Sequence, residues 1–314
     1  DTFVCSSWYF LRYPDNKNAE RAWDPEKINK LLPVDIYVGG AEHACMHLLY
    51  ARFFTMAFHD MGLVDFDEPF KRLVHQGTIL GPDGEKMSKS RGNVISPDDF
   101  VKRYGSDVFR MYLGFGFDYI SGGPWSDDGI KSIAKYLDRV ERLYDRVSVL
   151  DGGKDDFGDD EKKLNFVLHS TIKAVTADIE NFSFNTAIAR LMELTNAMYK
   201  YTDLKSINGE FAKNAYMTML KLMAPFAPHF AEELWEKMGG DYSIFNQSYP
   251  VYDEDALKRD EVEYPLQVNG KLKLKFTVPE IEKLVREKYA SAFGDKQLVK
   301  LIVVPGRIVN AVVK

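Results

Sequence analysis

An apolar run, Val34-Asp35-Ile36-Tyr37-Val38, is closed off by Pro33 before it and Gly39-Gly40 after it. Its β-branched and aromatic content predicts a buried strand. From Ala41 to Met61 the period changes: Ala44, Leu48, Ala51, Phe54 and Phe58 recur at helical spacing and share one face. Strand, tight Gly-Gly turn and helix make half of a βαβ unit, which commits this part of the chain to an α/β fold built on a parallel sheet. In such sheets ligands lie beyond the carboxyl ends of the strands, where Gly39 and Gly40 let a ligand come close to the backbone. A second apolar run, Leu73 to Leu80, predicts another strand that delivers Gln76 and Gly77 just before a Gly- and Ser-rich loop.

Three polar side chains, Glu42, His43 and His47, open the predicted helix. Two histidines four residues apart fall on one helical face, which suits either a metal site or a pair of core and helix-end histidines. The zinc-protease pattern requires Glu directly after the first His, whereas Ala44 follows here and Glu42 precedes.

Behind the second strand comes Gly84-Glu85-Lys86-Met87-Ser88-Lys89-Ser90-Arg91-Gly92-Asn93. Two lysines three positions apart on a Gly- and Ser-rich, exposed segment can bring ammonium groups and backbone N–H groups onto a polyphosphate. Charge alone also fits a merely solvated loop. Ser96-Pro97-Asp98-Asp99 then predicts a helix N-terminus, with Ser at the cap, Pro at the first helical position and acids in the first turn. A second short helix is expected after Gly105.

From Ser126 to about Asp260 the pattern is helical, with segments expected over 129–150, 160–181, 184–201 and 210–239. Ile188, Leu191, Met192, Leu194, Thr195 and Met198 repeat at three and four, the mark of a bundle with short loops. The ending changes character again. Leu266 to Phe276 alternates, turns at Asn269-Gly270 and alternates once more, a hairpin pattern. Strict alternation would put Lys271, Lys273 and Lys275 on one face. A helix over 280–293 and strands over 299–304 and 307–313 are expected to complete a small α+β unit. From Glu263 onward ten Lys/Arg stand against five Asp/Glu, although the whole chain of 314 residues has a net charge of −6. Any nucleic-acid contact therefore has to come from local basic surface such as this.

Cys5 and Cys45 are the only cysteines and belong to no Cys-x-x-Cys pair, so a reducing, cytoplasmic setting is expected rather than a disulfide framework or a zinc knuckle. No apolar run nears the roughly eighteen residues that span a membrane. The opening Asp1-Thr2-Phe3 has neither an initiator Met nor a basic leader, as a cut within a longer protein or a split subunit would.

Lys86-Met87-Ser88-Lys89-Ser90, unbroken, resembles the signature loop of class I aminoacyl-tRNA synthetases. Several further stretches are similar to leucyl-tRNA synthetase. They are Asp1-Thr2-Phe3 with Ser6-Ser7-Trp8-Tyr9, Leu32 to Ala44, His47 to Phe53, Gln76-Gly77, Ala224 to His229 with Glu232-Glu233-Leu234-Trp235, and Val304 to Asn310. The resemblance implies the second half of a Rossmann-like catalytic fold over 1–125, an anticodon-binding-type helical bundle over 126–262 and a small basic α+β tRNA-binding domain over 263–314. It implies ligation of leucine to tRNA(Leu) through leucyl-adenylate, with ATP and accompanying Mg²⁺.

By the same resemblance Ser6, Ser7, Tyr9, Tyr37, His43 and His47 line a leucine pocket. Gly39, Gly40, Glu42 and His43 hold adenosine, and Gln76 and Met87 lie near adenine. Lys86 and Lys89 meet the ATP phosphates, and Lys271, Lys273, Lys275 and Arg307 meet tRNA. None of these is expected to bind a metal. The family's other phosphate-binding signature, His-Ile-Gly-His, occurs nowhere in the sequence, and neither does its editing domain. The expectation is a carboxy-terminal part that needs an amino-terminal half, in the same chain or a separate subunit, for activity. A stand-alone RNA-binding module is the alternative, and a small metalloenzyme built on Glu42, His43 and His47 a third reading.

Overall fold

The computed structural model describes residues 2–150, 152–153, 156–258, 263–268, 271–277, 298–304 and 308–313. They fall into two units, Asp1–Val251 and Tyr252–Lys314.

The first unit opens with short helices α1 (Thr2–Ser6), α2 (Tyr9–Arg12) and α3 (Pro25–Leu31). Phe10, Leu11, Trp23 and Ile28 from this region join Ala51 and Val64 in one apolar cluster. Asp15 is buried beside that cluster and fully engaged: it accepts from Lys27 (2.6 Å), Asn18 (2.7 Å) and the Asp24 N–H (2.9 Å). Those donors, Lys27 first, hold its carboxyl down to about 2.

Strand β1 (Tyr37–Gly40), helix α4 (His47–Asp60) and strand β2 (Leu73–Gln76) form the expected βαβ unit, with β1 and β2 paired in parallel. Two expectations shift. The strand starts at Tyr37 rather than Val34, which makes only an isolated bridge to Phe70. The helix does not run unbroken from Ala41, because Ala41–Cys45 is a 3₁₀ turn and Met46 breaks it with φ −124 and ψ −101. His43 and His47 therefore sit on different elements. Leu48, Ala51 and Thr55 form the buried face of α4, while Ala44 is exposed.

The second apolar run is likewise divided, into β2 and β3 (Ile79–Leu80). β3 pairs in parallel with β4 (Gly123–Pro124), Ile79 opposite Gly123. Gly77 and Thr78, at the division, press against Gly122. A Cβ on Gly77 would lie 2.0 Å from the Gly122 nitrogen, and one on Gly122 2.3 Å from the Thr78 oxygen. Between β3 and β4 lie the two-lysine loop, α5 (Pro97–Tyr104) and α6 (Ser106–Phe115). Ser96 precedes Pro97 as the sequence predicts.

Helices α7 (Asp127–Ser148), α8 (Asp159–Glu180), α9 (Phe184–Thr202), α10 (Gly209–Met223) and α11 (Pro228–Lys237) form the bundle. The single segment expected over 210–239 is thus two helices. Pro225 has no N–H to continue α10, and Pro228 occupies the first position of α11. Ala227 caps α11 with no side-chain bond. The carboxylate of Asp107, from α6, does so instead: it accepts the Phe230 N–H at 2.6 Å and lies 2.9 Å from His229 Nδ1. Arg72, just ahead of β2, donates to the Glu180 carbonyl at the end of α8 (2.9 Å) and stacks over Phe182 at 5.4 Å. Residues expected in a first and a second domain therefore pack as one unit.

The second unit contains β5 (Glu263–Val268), β6 (Lys271–Thr277), β7 (Leu298–Val304) and β8 (Ile308–Val313) in the order β6-β5-β8-β7. The hairpin pairing of β5 with β6 agrees with the sequence, but strict alternation along β6 does not hold. Leu274 pairs with Leu266 and Leu272 with Gln267, leaving Lys273 as the extra residue of a bulge. Lys271 and Lys275, opposite Val268 and Pro265, consequently hold register positions of opposite parity, so the three lysines are not one alternating stripe. The expected helix over 280–293, the Asn269-Gly270 turn and Arg307 lie outside the described residues.

Candidate active site

Parallel register sets the site. Gly39 pairs with His75 and Gly40 with Gln76, so the Gly-Gly and His-Gln pairs end two neighbouring strands together. A cleft of about 420 Å³ opens there, lined by Phe3, Ser6, Tyr37, Val38, Gly39, Gly40, His43, His47, Leu48, Leu73, His75 and Gln76. A cleft beyond the carboxyl ends of adjacent parallel strands is where open α/β sheets bind ligands. Around Gly39 nothing lies within 4 Å of where a Cβ would be, so the backbone faces open space. Over Gly40 the Glu42 carboxylate folds back, with Oε2 2.3 Å from a Cβ there.

A chain of hydroxyls backs the cleft. Tyr9 Oη lies 2.8 Å from Tyr37 Oη, which lies 2.6 Å from His47 Nε2. The Tyr37 ring stacks on Phe70 with centroids 3.8 Å apart. Burial first, and the Tyr9 contact second, push the Tyr37 hydroxyl up from its ordinary acidity. Burial first, then the charge of His43, lowers His47 below 6.5. Both shifts favour the uncharged forms, and either partner of the Tyr37–His47 contact can donate, according to the tautomer of the ring.

Of the residues named from sequence, Ser6, Tyr37, Gly39, Gly40, His43, His47 and Gln76 line this one cleft. Tyr9 does not line it but touches two residues that do, Tyr37 through the hydroxyls and His47 with ring centroids 6.2 Å apart. Ser7, just past the end of α1, is fully buried, its hydroxyl donating to the Phe3 carbonyl of that helix. The sequence reading missed Phe3, Val38, Leu48, Leu73 and His75. The signal for His75 was available, since it neighbours Gln76 on a strand that pairs with the Gly-Gly strand. Among the described residues no group of three or more His, Cys, Asp or Glu is placed to hold a metal ion.

The two-lysine loop is folded on an internal scaffold. Leu80 and Lys86 form an antiparallel bridge, and Gly81 N–H donates to the Glu85 carbonyl at 2.8 Å. Asn93 spans the loop, accepting from the Ser88 N–H at 2.9 Å and donating to Asp83 at 3.1 Å. The Glu85 N–H, then the Asn93 amide, hold the Asp83 carboxyl below its usual range. Arg91 pairs with Glu85 at 2.9 Å. Lys86 and Lys89 are exposed and, among the described residues, neither makes an ion pair; Met87 is half-buried between them. The scaffold thus neutralises Arg91 and leaves both lysine charges available to an anion.

Residues 10–121 match the family model described as tRNA synthetases class I (I, L, M and V), and residues 161–289 match the anticodon-binding domain of tRNA ligase. The leucine–tRNA ligase of Clostridium perfringens strain 13 is 56% identical over 326 residues, covering 100% of this chain and 40% of that protein. That of Clostridium kluyveri is 55% identical with the same coverage. The chain thus spans about 40% of the length of the curated relatives it matches. The crystal structure of the Agrobacterium radiobacter K84 agnB2 LeuRS, a ternary complex with tRNA and LeuAMS, superposes with a TM-score of 0.83 at 37% identity over 100% of this chain and 42% of that one. Mycobacterium tuberculosis methionyl-tRNA synthetase shares the fold, with a TM-score of 0.62 at 20% identity over 76% of this chain and 50% of that one. Two consecutive family matches, with 56% identity to leucine–tRNA ligases over the whole of this chain and 40% of theirs, identify this chain as part of a member of the leucine group of class I aminoacyl-tRNA synthetases.

Proposed function

We propose that this chain supplies part of the active site of a leucine–tRNA ligase. The reading is carried by the convergence of Gly39, Gly40, His43, His47 and Gln76 on one cleft at the carboxyl ends of two parallel strands. In the reaction, a carboxylate oxygen of leucine attacks the α-phosphorus of ATP, the bond to the bridging oxygen breaks, and pyrophosphate leaves. A terminal ribose hydroxyl of tRNA(Leu) then attacks the leucyl carbonyl, displacing AMP. No protein nucleophile is needed. The protein must align the carboxylate with the phosphorus and stabilise charge on the leaving pyrophosphate, which is positioning plus electrostatics.

Phe3, Leu48 and Tyr37 provide apolar wall for the leucine side chain, and Ser6 provides a hydroxyl. Ser7 and Tyr9 act as positioning residues, through α1 and through Tyr37. Gly39, Gly40, Glu42 and His43 receive adenosine, with Gln76 and Met87 toward the base. Lys86 and Lys89 take the pyrophosphate, and Mg²⁺ accompanying ATP would add positive charge there. The bundle and the second unit, with Lys271, Lys273, Lys275 and Arg307, form the tRNA side, in the three-part division 1–125, 126–262 and 263–314. A cytoplasmic setting suits the two exposed free thiols Cys5 and Cys45. Among the described residues no helix is long and apolar enough to cross a membrane.

The remaining partner is polypeptide. On α4, Leu49 is 57% and Phe53 65% exposed, with Tyr50 and Met56 beside them and Val38 of β1 exposed as well. An apolar surface of this kind marks an interaction face, and the rest of a leucine–tRNA ligase, in this chain or another, is the proposed occupant. The 314 residues alone, having no His-Ile-Gly-His stretch, are expected to show no leucine-dependent ATP–pyrophosphate exchange. Mixing with the remaining portion of a leucine–tRNA ligase is expected to restore it. Robust exchange by the chain alone would sink the half-site argument, and a folded mixture without exchange would sink the assignment.

A further inference from the structure

The loop that carries Lys86 and Lys89 holds a third cation, and that one is already engaged. Arg91 Nη1 lies 2.9 Å from Glu85 Oε2, with the two side chains 57% and 62% exposed. An ion pair so open to water contributes little to stability. Nor does the loop need it for its shape. The Glu85 N–H donates to Asp83 at 3.1 Å, and the Glu85 carbonyl accepts from the Gly81 N–H at 2.8 Å. The Arg91 N–H donates to the Ser88 carbonyl at 3.2 Å and to the Ser88 hydroxyl at 3.3 Å. Both residues are thus fixed through their backbones, and their side-chain contact can be surrendered without unfolding what surrounds it.

Position gives the pair a use. Arg91 is two residues beyond Lys89, at most about 7 Å along the chain, and its head group rests on the residue that precedes Lys86. The guanidinium is therefore tethered beside both lysines. A phosphate offers it the same forked acceptor geometry as a carboxylate, with more charge and more oxygens. The loop's other carboxylate is no competitor for it, because Asp83 already accepts from the Glu85 N–H and the Asn93 amide. We propose that Arg91 is a third phosphate-binding cation of this loop, held in reserve by Glu85. Pyrophosphate draws the guanidinium off Glu85 as it binds, and Glu85 takes it back as pyrophosphate leaves. The exchange is non-covalent, and the guanidinium stays charged throughout. This inference rests on the reading of Lys86 and Lys89 as pyrophosphate ligands and adds to it an internal competitor that keeps the grip reversible.

The test is calorimetric titration of the 314-residue chain with inorganic pyrophosphate at low salt, native and with Glu85→Gln, Arg91→Gln and both together. Glu85→Gln is expected to tighten binding by about fivefold, near the most that a surface ion pair is worth. Arg91→Gln is expected to weaken it by about tenfold, the worth of one charge-assisted hydrogen bond. In the Arg91→Gln background, Glu85→Gln is expected to change little, since no guanidinium is left to release. NMR of the arginine Nε groups is expected to show pyrophosphate shifting Arg91 but not Arg52, whose pair with Glu68 is comparably exposed and begins on α4. Equal tightening by Glu85→Gln with and without Arg91 would make Glu85 a simple repelling charge and overturn the inference. So would an Arg91 signal that moves no more than that of Arg52, or a Tm lost in Arg91→Gln, which would mark the pair as structural. Should Lys86→Gln and Lys89→Gln weaken binding while Arg91→Gln does not, the inference falls and the loop reading stands. If neither lysine variant weakens it, or the native chain binds no pyrophosphate, both fall.

Discussion

The pKa of His47 is lowered by two influences that can be separated. Burial at the start of α4 disfavours its charged form most, and the charge of His43, with ring centroids 6.5 Å apart, disfavours it further. Its folded-state value lies below 6.5, so the unfolded chain takes up this proton first as pH falls. The contribution of His47 to stability is complete above 6.5 and is lost as pH drops through 6.5 toward the folded value. Histidine NMR is expected to show His47 titrating below 6.5, and His43→Gln to move it upward by removing the repulsion. A titration unmoved by His43→Gln would leave burial as the sole cause.

At this scale the sequence was most legible where a motif fixed residue order. Tyr37, Gly39, Gly40, His43, His47 and Gln76 were all nameable before any coordinates, and they share one cleft. Ser7 shows the limit: the resemblance implied a pocket residue, but its side chain is spent on the Phe3 carbonyl. A motif reports that a hydroxyl is present, not what it already holds.

Elements were legible as types and less so as boundaries. The break at Met46 was hidden because Ala44 and Leu48 keep helical spacing across a 3₁₀ turn. The cap that Asp107 places on α11 joins positions 123 apart in the chain, which no local pattern can reveal. The Gly77–Gly122 crossing is a third non-local constraint, and it separates two kinds of glycine. A methyl group on Gly77 would meet the Gly122 backbone at 2.0 Å, and backbone cannot swing aside. Gly77→Ala is expected to cost about 2–3 kcal/mol through overpacking, lowering Tm by roughly 4–12 °C in a unit of this size. Gly39→Ala meets nothing within 4 Å and is expected to keep the native Tm while narrowing the cleft and weakening adenosine binding. Thermal unfolding of the two variants checks the pair, and equal losses of Tm would contradict the geometry.

For the whole molecule, charge is distributed against the average. The stretch from Glu263 carries a net +5 within a chain of net −6, so the proposed tRNA contact is expected to draw on charge near its end. Strict alternation made Lys271, Lys273 and Lys275 a single basic stripe, and the bulge at Lys273 removes that equivalence. Sequence could not disclose the bulge, because a slip of one residue leaves the alternating letters intact. Lys271 and Lys275 occupy register positions of opposite parity, so a single phosphate-binding face can use one of them directly and not both. Single charge reversals, Lys271→Glu and Lys275→Glu, are therefore expected to differ. One should weaken tRNA binding and reduce the slope of log affinity against log salt by about one unit, the signature of one lost phosphate contact. The other should leave that slope nearly unchanged, losing only long-range attraction that salt screens. Filter binding or fluorescence titration across a salt series checks this. Equal slope losses at both positions would restore the single stripe and contradict the register of β5 and β6, while no loss at either would remove this strand from the tRNA side.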